Sequence, residues 1–225
     1  MIPLITKDLG LIPFRDAYRH QRRAVDMRQN DAGKDTLYLL EHHHVVTKGR
    51  NATESALISG PDLLTAKGVD LIETDRGGDV TYHGPGQLVG YPIIRLEAAR
   101  RDIRRYVHDV EEVLLRTLDE FSIAARRDSA HRGVWVNERK IASVGIRISK
   151  WVTSHGFALN VDTDLSYFTL IVPCGIDNCK MTTMSKELGR TVCMDDVKRD
   201  VTRHFCNVFN RVAAVPIDAG VVCRE

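Results

Sequence analysis

Residues 76–92 read RGGDVTYHGPGQLVGYP, and no other run limits the backbone of this chain so tightly. Gly77-Gly78 and Gly84-Pro85-Gly86 point to turns with positive φ, or to places where another group must approach the main chain. The run lies between two strand-like segments, VDLIETD before it and QLVGYPII from Gln87 onward. A short strand through Thr81-Tyr82-His83 puts Thr81 and His83 on one face and Tyr82 on the other. Taken alone, the glycines fit a hairpin with a glycine-rich turn. Arg76, His83 and Gln87 add three polar side chains around one glycine framework, and that combination points to a binding site.

With 225 residues, 43% of them hydrophobic, the chain can bury one sizeable core, and no Pro/Ser-rich or low-complexity tract divides it. One domain spanning residues 1–225 is expected. No apolar run approaches the roughly 18 residues of a membrane span, and MIPLITKDLG reaches Lys7 and Asp8 too soon for a secretory signal. A soluble, cytoplasmic protein with no membrane partner is expected. Five cysteines, at 174, 179, 193, 206 and 223, cannot all pair and form no C-x-x-C, which indicates reduced thiols and neither a disulfide framework nor a zinc site. A net charge of +2 is too small to argue for nucleic acid. Arg95, Arg100, Arg101, Arg104 and Arg105 do bunch together, with Arg126, Arg127 and Arg132 further on; they fit a solvated helix end or a docking patch for an acidic protein.

The spacing of Phe14, Tyr18 and Val25 predicts a helix from Phe14 to about Met27, followed by a buried strand at Thr36–Leu40. Of His42-His43-His44, neighbours on a strand face opposite ways and cannot all ligate one ion, so no metal is expected there. Ile103, Val107, Val110, Leu114, Leu118 and Phe121 predict an amphipathic helix, and Val197, Val201, Phe205, Val208 and Val212 predict another. Between them, Gly133–Val136, a turn at Asn137-Glu138-Arg139 and the run from Lys140 form a hairpin with Lys140 at the start of the return strand. Helices interleaved with hairpin-like strands indicate an α/β or α+β domain on a mixed, largely antiparallel sheet with flanking helices.

The pattern R-G-G-x-x-T-Y-H-G-P-G-Q-x-x-x-Y resembles the signature of the lipoyl(octanoyl) transferases. KIASVGIR from Lys140, TSHGFALNV from Thr153 and IVPCGI around Cys174 follow it in the family's order, so the likeness covers nearly the whole chain. The chain departs from the family at His42-His43-His44 and Lys48, where Glu-His-Pro-Pro and an apolar residue are usual, and keeps Gly49-Arg50. The resemblance implies the fold shared by biotin and lipoate protein ligases. It implies an acyltransferase that moves an octanoyl group from acyl carrier protein to a lysine of lipoyl domains, those of 2-oxoacid dehydrogenases and the glycine cleavage H protein, without a cofactor. It makes Cys174 the nucleophile and Lys140 its neighbour. Arg76, Gly77, Gly78, Asp79, Val80, Thr81, Tyr82 and His83, with Ser143, Val144, Gly145, Gly156, Phe157 and Ala158, would line the acyl pocket. His155 would line the same pocket, and His83 could equally be a hydrogen-bonded structural residue.

An ammonium beside a cysteine favours the thiolate. Cys174 would accept the acyl group, and neutral Lys140 would deprotonate the incoming lysine. Amides near Gly175 or in the Arg76–Gly78 turn are candidate oxyanion donors. The rival is an ATP-dependent lipoate or biotin ligase of the same fold, which has no need of a cysteine at position 174.

Overall fold

The computed structural model describes residues 2–53, 56–172, 176 and 179–214. Strand β1 (Ile2–Ile12) pairs in parallel with β2 (Asp35–His42), the two joined by helix α1 (Phe14–Gln29). Next come β3 (Val45–Lys48), the short α2 (Pro61–Ala66), β4 (Asp70–Glu73) and β5 (Val80–His83), which build a three-stranded sheet in the order β4-β3-β5. Strand β6 (Gln87–Ile93) returns the chain to the first sheet. After α3 (Ile103–Glu120) come β7 (Arg126–Arg127), β8 (Val134–Val136), β9 (Arg139–Ser149) and β10 (Val152–Asn160). Strand β11 (Lys180–Met181), α4 (Met184–Leu188), α5 (Met194–Phe209) and β12 (Arg211–Ala213) complete the described chain. The large sheet runs β12-β1-β2-β6-β10-β9-β8-β7, with β11 added beside β9, and is antiparallel from β2 through to β7. The mixed, largely antiparallel sheet with flanking helices is therefore present.

Helices α3 and α5 cover one face of this sheet. Val110, Leu114 and Leu118 from α3 and Val197, Val201 and Phe205 from α5 are buried together with Leu88, Ile141 and Leu159. Each such side chain is worth about 1.5–3 kcal/mol of burial. Asp102 starts α3 as its cap, accepting from the amides of Arg104 (2.7 Å) and Arg105 (3.1 Å). Helix α1 lies on the opposite face, with Ala17 buried among Tyr38, Leu40, Val89 and Tyr91.

Two expectations change. The strands flanking Gly84-Pro85-Gly86 are not a hairpin: β5 pairs with β3 in the small sheet, whereas β6 pairs with β2 and β10 in the large one. The glycine-rich segment is a corner that passes the chain between sheets, held where Glu41 accepts from the Gly86 amide at 2.7 Å. Val212 is not on the last helix, because Asn210 takes the left-handed conformation (φ 53°) and ends α5, leaving Val212 exposed on β12.

The fully buried carboxylate of Asp35 ties three distant segments. It accepts from Arg28 Nε (2.7 Å), from the Arg95 amide (3.1 Å) and from Arg211 Nε (2.9 Å). An ion buried this deeply is tolerable only when its acceptor sites are filled in this way.

Candidate active site

The seam between the two sheets encloses a cavity of about 320 Å³. Its walls are the Arg76–Asp79 loop with Thr81 and His83 from the small sheet, facing Ser143–Ile146 of β9 and His155–Ala158 of β10 from the large one. These last two segments are bonded neighbours, with Gly145 opposite Gly156 and Ser143 opposite Ala158. Phe14 and Tyr91 also line the cavity, and exposed Ala130, His131 and Arg132 stand at its rim.

Arg76 fixes the shape of the loop. Its guanidinium is buried and donates to the Thr47 carbonyl (2.6 Å), to Thr47 Oγ1 (2.9 Å from Nη2) and to the Gly77 carbonyl (3.2 Å). The loop is pinned further by amides of Arg50 and Asn51, which donate to the carbonyls of Arg76 and Gly78. Gly49 makes this possible by close approach, since a Cβ there would stand 2.3 Å from the Gly78 oxygen. The Gly77 amide already donates to the Ile146 carbonyl at 2.8 Å, which removes it as an oxyanion donor.

His83 sits at the end of a chain of amides that sets its tautomer. Gln87 Nε2 donates to the carbonyl of Tyr82 and to Asn160 Oδ1, so Gln87 Oε1 must accept from His83 Nδ1 at 2.7 Å. Asn160 Nδ2 in turn donates to the carbonyl of Thr182, whose own amide donates to the carbonyl of Lys140. Burial, with His42 nearby, pushes the His83 imidazole down to about 3. The ring is therefore neutral and carries its lone pair on Nε2. His83 is hydrogen-bonded structure and cavity wall at once. Behind it, His42 bonds the Ile12 carbonyl and Tyr91 Oη, and burial pushes its pKa down to about 4.

His155 is held from the opposite side. It adopts positive φ (55°), and its backbone amide donates to Gln21 Oε1 of α1 at 2.8 Å. Its Nε2 donates to Asp75 Oδ1 at 2.7 Å, while Asp75 Oδ2 accepts from Tyr18 Oη (3.0 Å) and from Arg147. The His155 bond, then Tyr18 and Arg147, depress the Asp75 pKa well below the usual carboxylate range, against the opposing effect of its partial burial. Burial lowers that of His155 despite the carboxylate. The pair is thus an ionised carboxylate accepting from a neutral imidazole.

Lys140 is 2% exposed and lines the cavity from the start of β9. Positive φ at Asn137 (52°) makes the tight turn from β8, as the hairpin reading required.

Of the residues the resemblance nominated, Arg76, Gly77, Gly78, Asp79, Thr81, His83, Lys140, Ser143, Val144, Gly145, Gly156, Phe157 and Ala158 meet at this cavity. Val80 and Tyr82 do not: strand alternation turns them into the small sheet's own core with Val46 and Phe168. Cys174 and Gly175 lie outside the described residues. The unusual histidines stay out of the cavity wall, with His44 stacked on Tyr167 and bonded to Tyr82 Oη, and Lys48 pairs across the sheet with Glu73. Sequence reasoning missed Phe14, Tyr91 and Ile146 as walls, for their apolar character reads as ordinary core. It also missed Asp75, whose partner His155 is 80 residues away.

Of the arginines at 95–105, Arg95 and Arg101 lie away from Lys140. Arg95 turns inward to the Arg28 and Gln29 carbonyls, and Arg101 lies over Trp151 at the β9–β10 turn. That turn is nine residues along β9 from Lys140, about 30 Å at ~3.3 Å per residue. Arg127 is committed to Glu111 and Glu112.

Among the described residues, no helix is long and apolar enough to cross a membrane.

The family model of the lipoyl protein ligase A/B catalytic domain matches residues 13–206. An octanoyltransferase of Solibacter usitatus is 48% identical over 204 residues, covering 91% of this chain and 92% of its own. One from Nitratidesulfovibrio vulgaris is 40% identical over 219 residues, 97% of this chain and all of its own. Among solved structures, a bi-partite lipoate protein ligase from Thermoplasma acidophilum superposes with a TM-score of 0.70 at 17% identity, covering 94% of this chain and 84% of that one. The biotin protein ligase of Aquifex aeolicus gives 0.52 at 12%, covering 93% and 70%. These structures establish the biotin and lipoate protein ligase fold, and with relatives this similar over nearly its whole length the chain belongs to the octanoyltransferase family.

Proposed function

We propose that this protein transfers an octanoyl group from the thioester of acyl carrier protein to the target lysine of lipoyl domains, through a thioester on Cys174. The observation that carries this reading is Lys140, an almost fully buried amine in the wall of a cavity with both polar and apolar walls that opens beside Arg132. Apolar walls such as Phe14, Val144, Phe157 and Ala158 suit an acyl chain.

In the first half-reaction the Cys174 thiolate attacks the donor carbonyl. The carrier thiol leaves, taking the proton held by Lys140, and the acyl group remains on Cys174. In the second, neutral Lys140 takes a proton from the acceptor lysine, whose nitrogen forms the amide as the Cys174 thiolate departs. Exchange of one thioester for another is nearly balanced, and aminolysis runs downhill, so neither step requires ATP or a metal. The acceptors would be lipoyl domains of 2-oxoacid dehydrogenases and the glycine cleavage H protein, met in the cytoplasm, with residues 1–225 acting as one catalytic domain.

The ligase reading has support from the fold neighbours, but the likeness to them is at the level of fold alone. A cysteine in the Pro-Cys-Gly-Ile context favours the transferase. Incubation with octanoyl acyl carrier protein and no acceptor should add one octanoyl group to Cys174, read by intact-mass and peptide analysis. Transfer should proceed without ATP and stop in Cys174→Ser and Lys140→Ala. Strict ATP dependence with free octanoate, together with full activity of Cys174→Ser, would establish the ligase instead.

A further inference from the structure

The amine of Lys140 is held by more than its backbone. In the β8–β9 ladder, Val134 faces Ala142 but Trp135 faces Lys140, so an extra residue of β9 lies between these pairs. Bulges of this kind re-aim side chains. Here the result places Lys140 Nζ over the face of the Trp135 ring, 5.4 Å from its centroid. That is within the ~6 Å at which an aromatic face attracts a cation.

The stem of Lys140 reaches this position through space that only glycine leaves open. Gly133 has φ of 114°, and a Cβ there would stand 2.8 Å from Lys140 Cε and 2.3 Å from the Ala142 oxygen. The amide of Gly133 is fixed from α3, where the buried Glu111 accepts from it at 2.8 Å. Trp135 is 6% exposed, and its Nε1 is buried with no hydrogen-bond partner among the described residues. A buried donor left unmade is a cost, so a hydrogen bond is not what the indole contributes here; its face is.

We infer that Trp135 is a positioning residue for Lys140, its ring face holding the ammonium where the proposed proton transfers need it. The inference rests on the acyltransferase reading of Lys140. It predicts that activity follows the electron density of the ring and not merely its bulk.

The test compares Trp135→Phe, Trp135→Leu and Lys140→Ala in octanoyl transfer, with melting temperatures measured alongside. Trp135→Phe, which keeps an aromatic face, should retain kcat within about threefold. Trp135→Leu should lose roughly tenfold in kcat with KM little changed; tenfold corresponds to about 1.4 kcal/mol, inside the range for a desolvated cation over a ring. Because either change could loosen packing, a second arm keeps the shape nearly constant. In a Trp151→Phe background, which leaves Trp135 as the single tryptophan, mono-, di- and trifluorotryptophan should lower kcat stepwise. Equal kcat in the Phe and Leu variants, or a flat fluorination series, would reduce Trp135 to core packing and overturn the inference. Those results, with Lys140→Ala inactive, would leave the acyltransferase reading standing, whereas an active Lys140→Ala would remove both.

Discussion

Replacing Asp75 by Asn removes one charge and almost no volume from the rear of the cavity. The carboxylate accepts from His155, Tyr18 and Arg147. The His155 contact is the valuable one, since the imidazole is 2% exposed and its bond to an ion is worth about 1.5–3 kcal/mol. The Arg147 pair, with side chains 35% and 29% exposed, is screened and worth at most ~1 kcal/mol. An asparagine oxygen can still accept from His155 or Tyr18 but not serve all three, so a loss of about 2–3 kcal/mol is expected at pH 7. For a chain of this size that is a fall of roughly 4–12 °C in melting temperature. The pH dependence has a definite sign. Asp75 is depressed in the folded protein and ordinary, near 3.9, in the unfolded chain. Its contribution is therefore complete above about pH 5 and shrinks as pH falls below about 4 toward its folded pKa. The gap between wild type and Asp75→Asn should narrow accordingly. Urea unfolding from pH 7 to pH 3.5 measures it, and a difference below 0.5 kcal/mol at pH 7 would refute the reasoning.

Gly90→Ala should narrow the cavity, because a Cβ there would stand 2.1 Å from Phe157 Cζ and the ring must shift. Overpacking of this kind costs about 1–3 kcal/mol, and a competition between hexanoyl and octanoyl carrier thioesters should move toward the shorter chain. Arg132→Glu, at the rim, should slow association with an acidic carrier and reduce its salt dependence, whereas Arg101→Glu, at the β9–β10 turn, should not. Stopped-flow association at two salt concentrations decides this, and equal effects would mean the rim is not where the carrier docks.

What could be read from the sequence divides by range. Helices α3 and α5 were legible because their apolar stripes repeat within a few residues, and the β8–β9 turn because Asn137 is suited to positive φ. The corner at Gly84–Gly86 was legible as a turn but not as a change of sheet, since β3 lies some thirty residues before β5 and nothing local says which strand it joins. Alternation correctly separated Thr81 and His83 from Tyr82, yet the family-wide likeness had gathered Val80 and Tyr82 into the same wall. Among the arginines at 95–105 charge is visible in the sequence and direction is not: Arg95 is turned to the end of α1, whereas Arg101, Arg104 and Arg105 remain exposed. Asp75 and His155 illustrate the remaining gap, as neither has a partner within reach along the chain.

The Asp35 carboxylate also sets a timetable for synthesis. Arg28 precedes it and Arg95 follows soon after, but Arg211 lies 176 residues downstream. At about 5–20 residues per second, Arg211 leaves the ribosome on the order of 10–35 seconds after Asp35. The pairing of Ile2 with Arg211 waits longer still. During that interval the β1 edge has no β12 beside it, and an unpaired edge is a template for strands of other chains. The open β1 edge is thus a hazard of the nascent protein, and a chaperone that covers β1 until β12 emerges would shelter it.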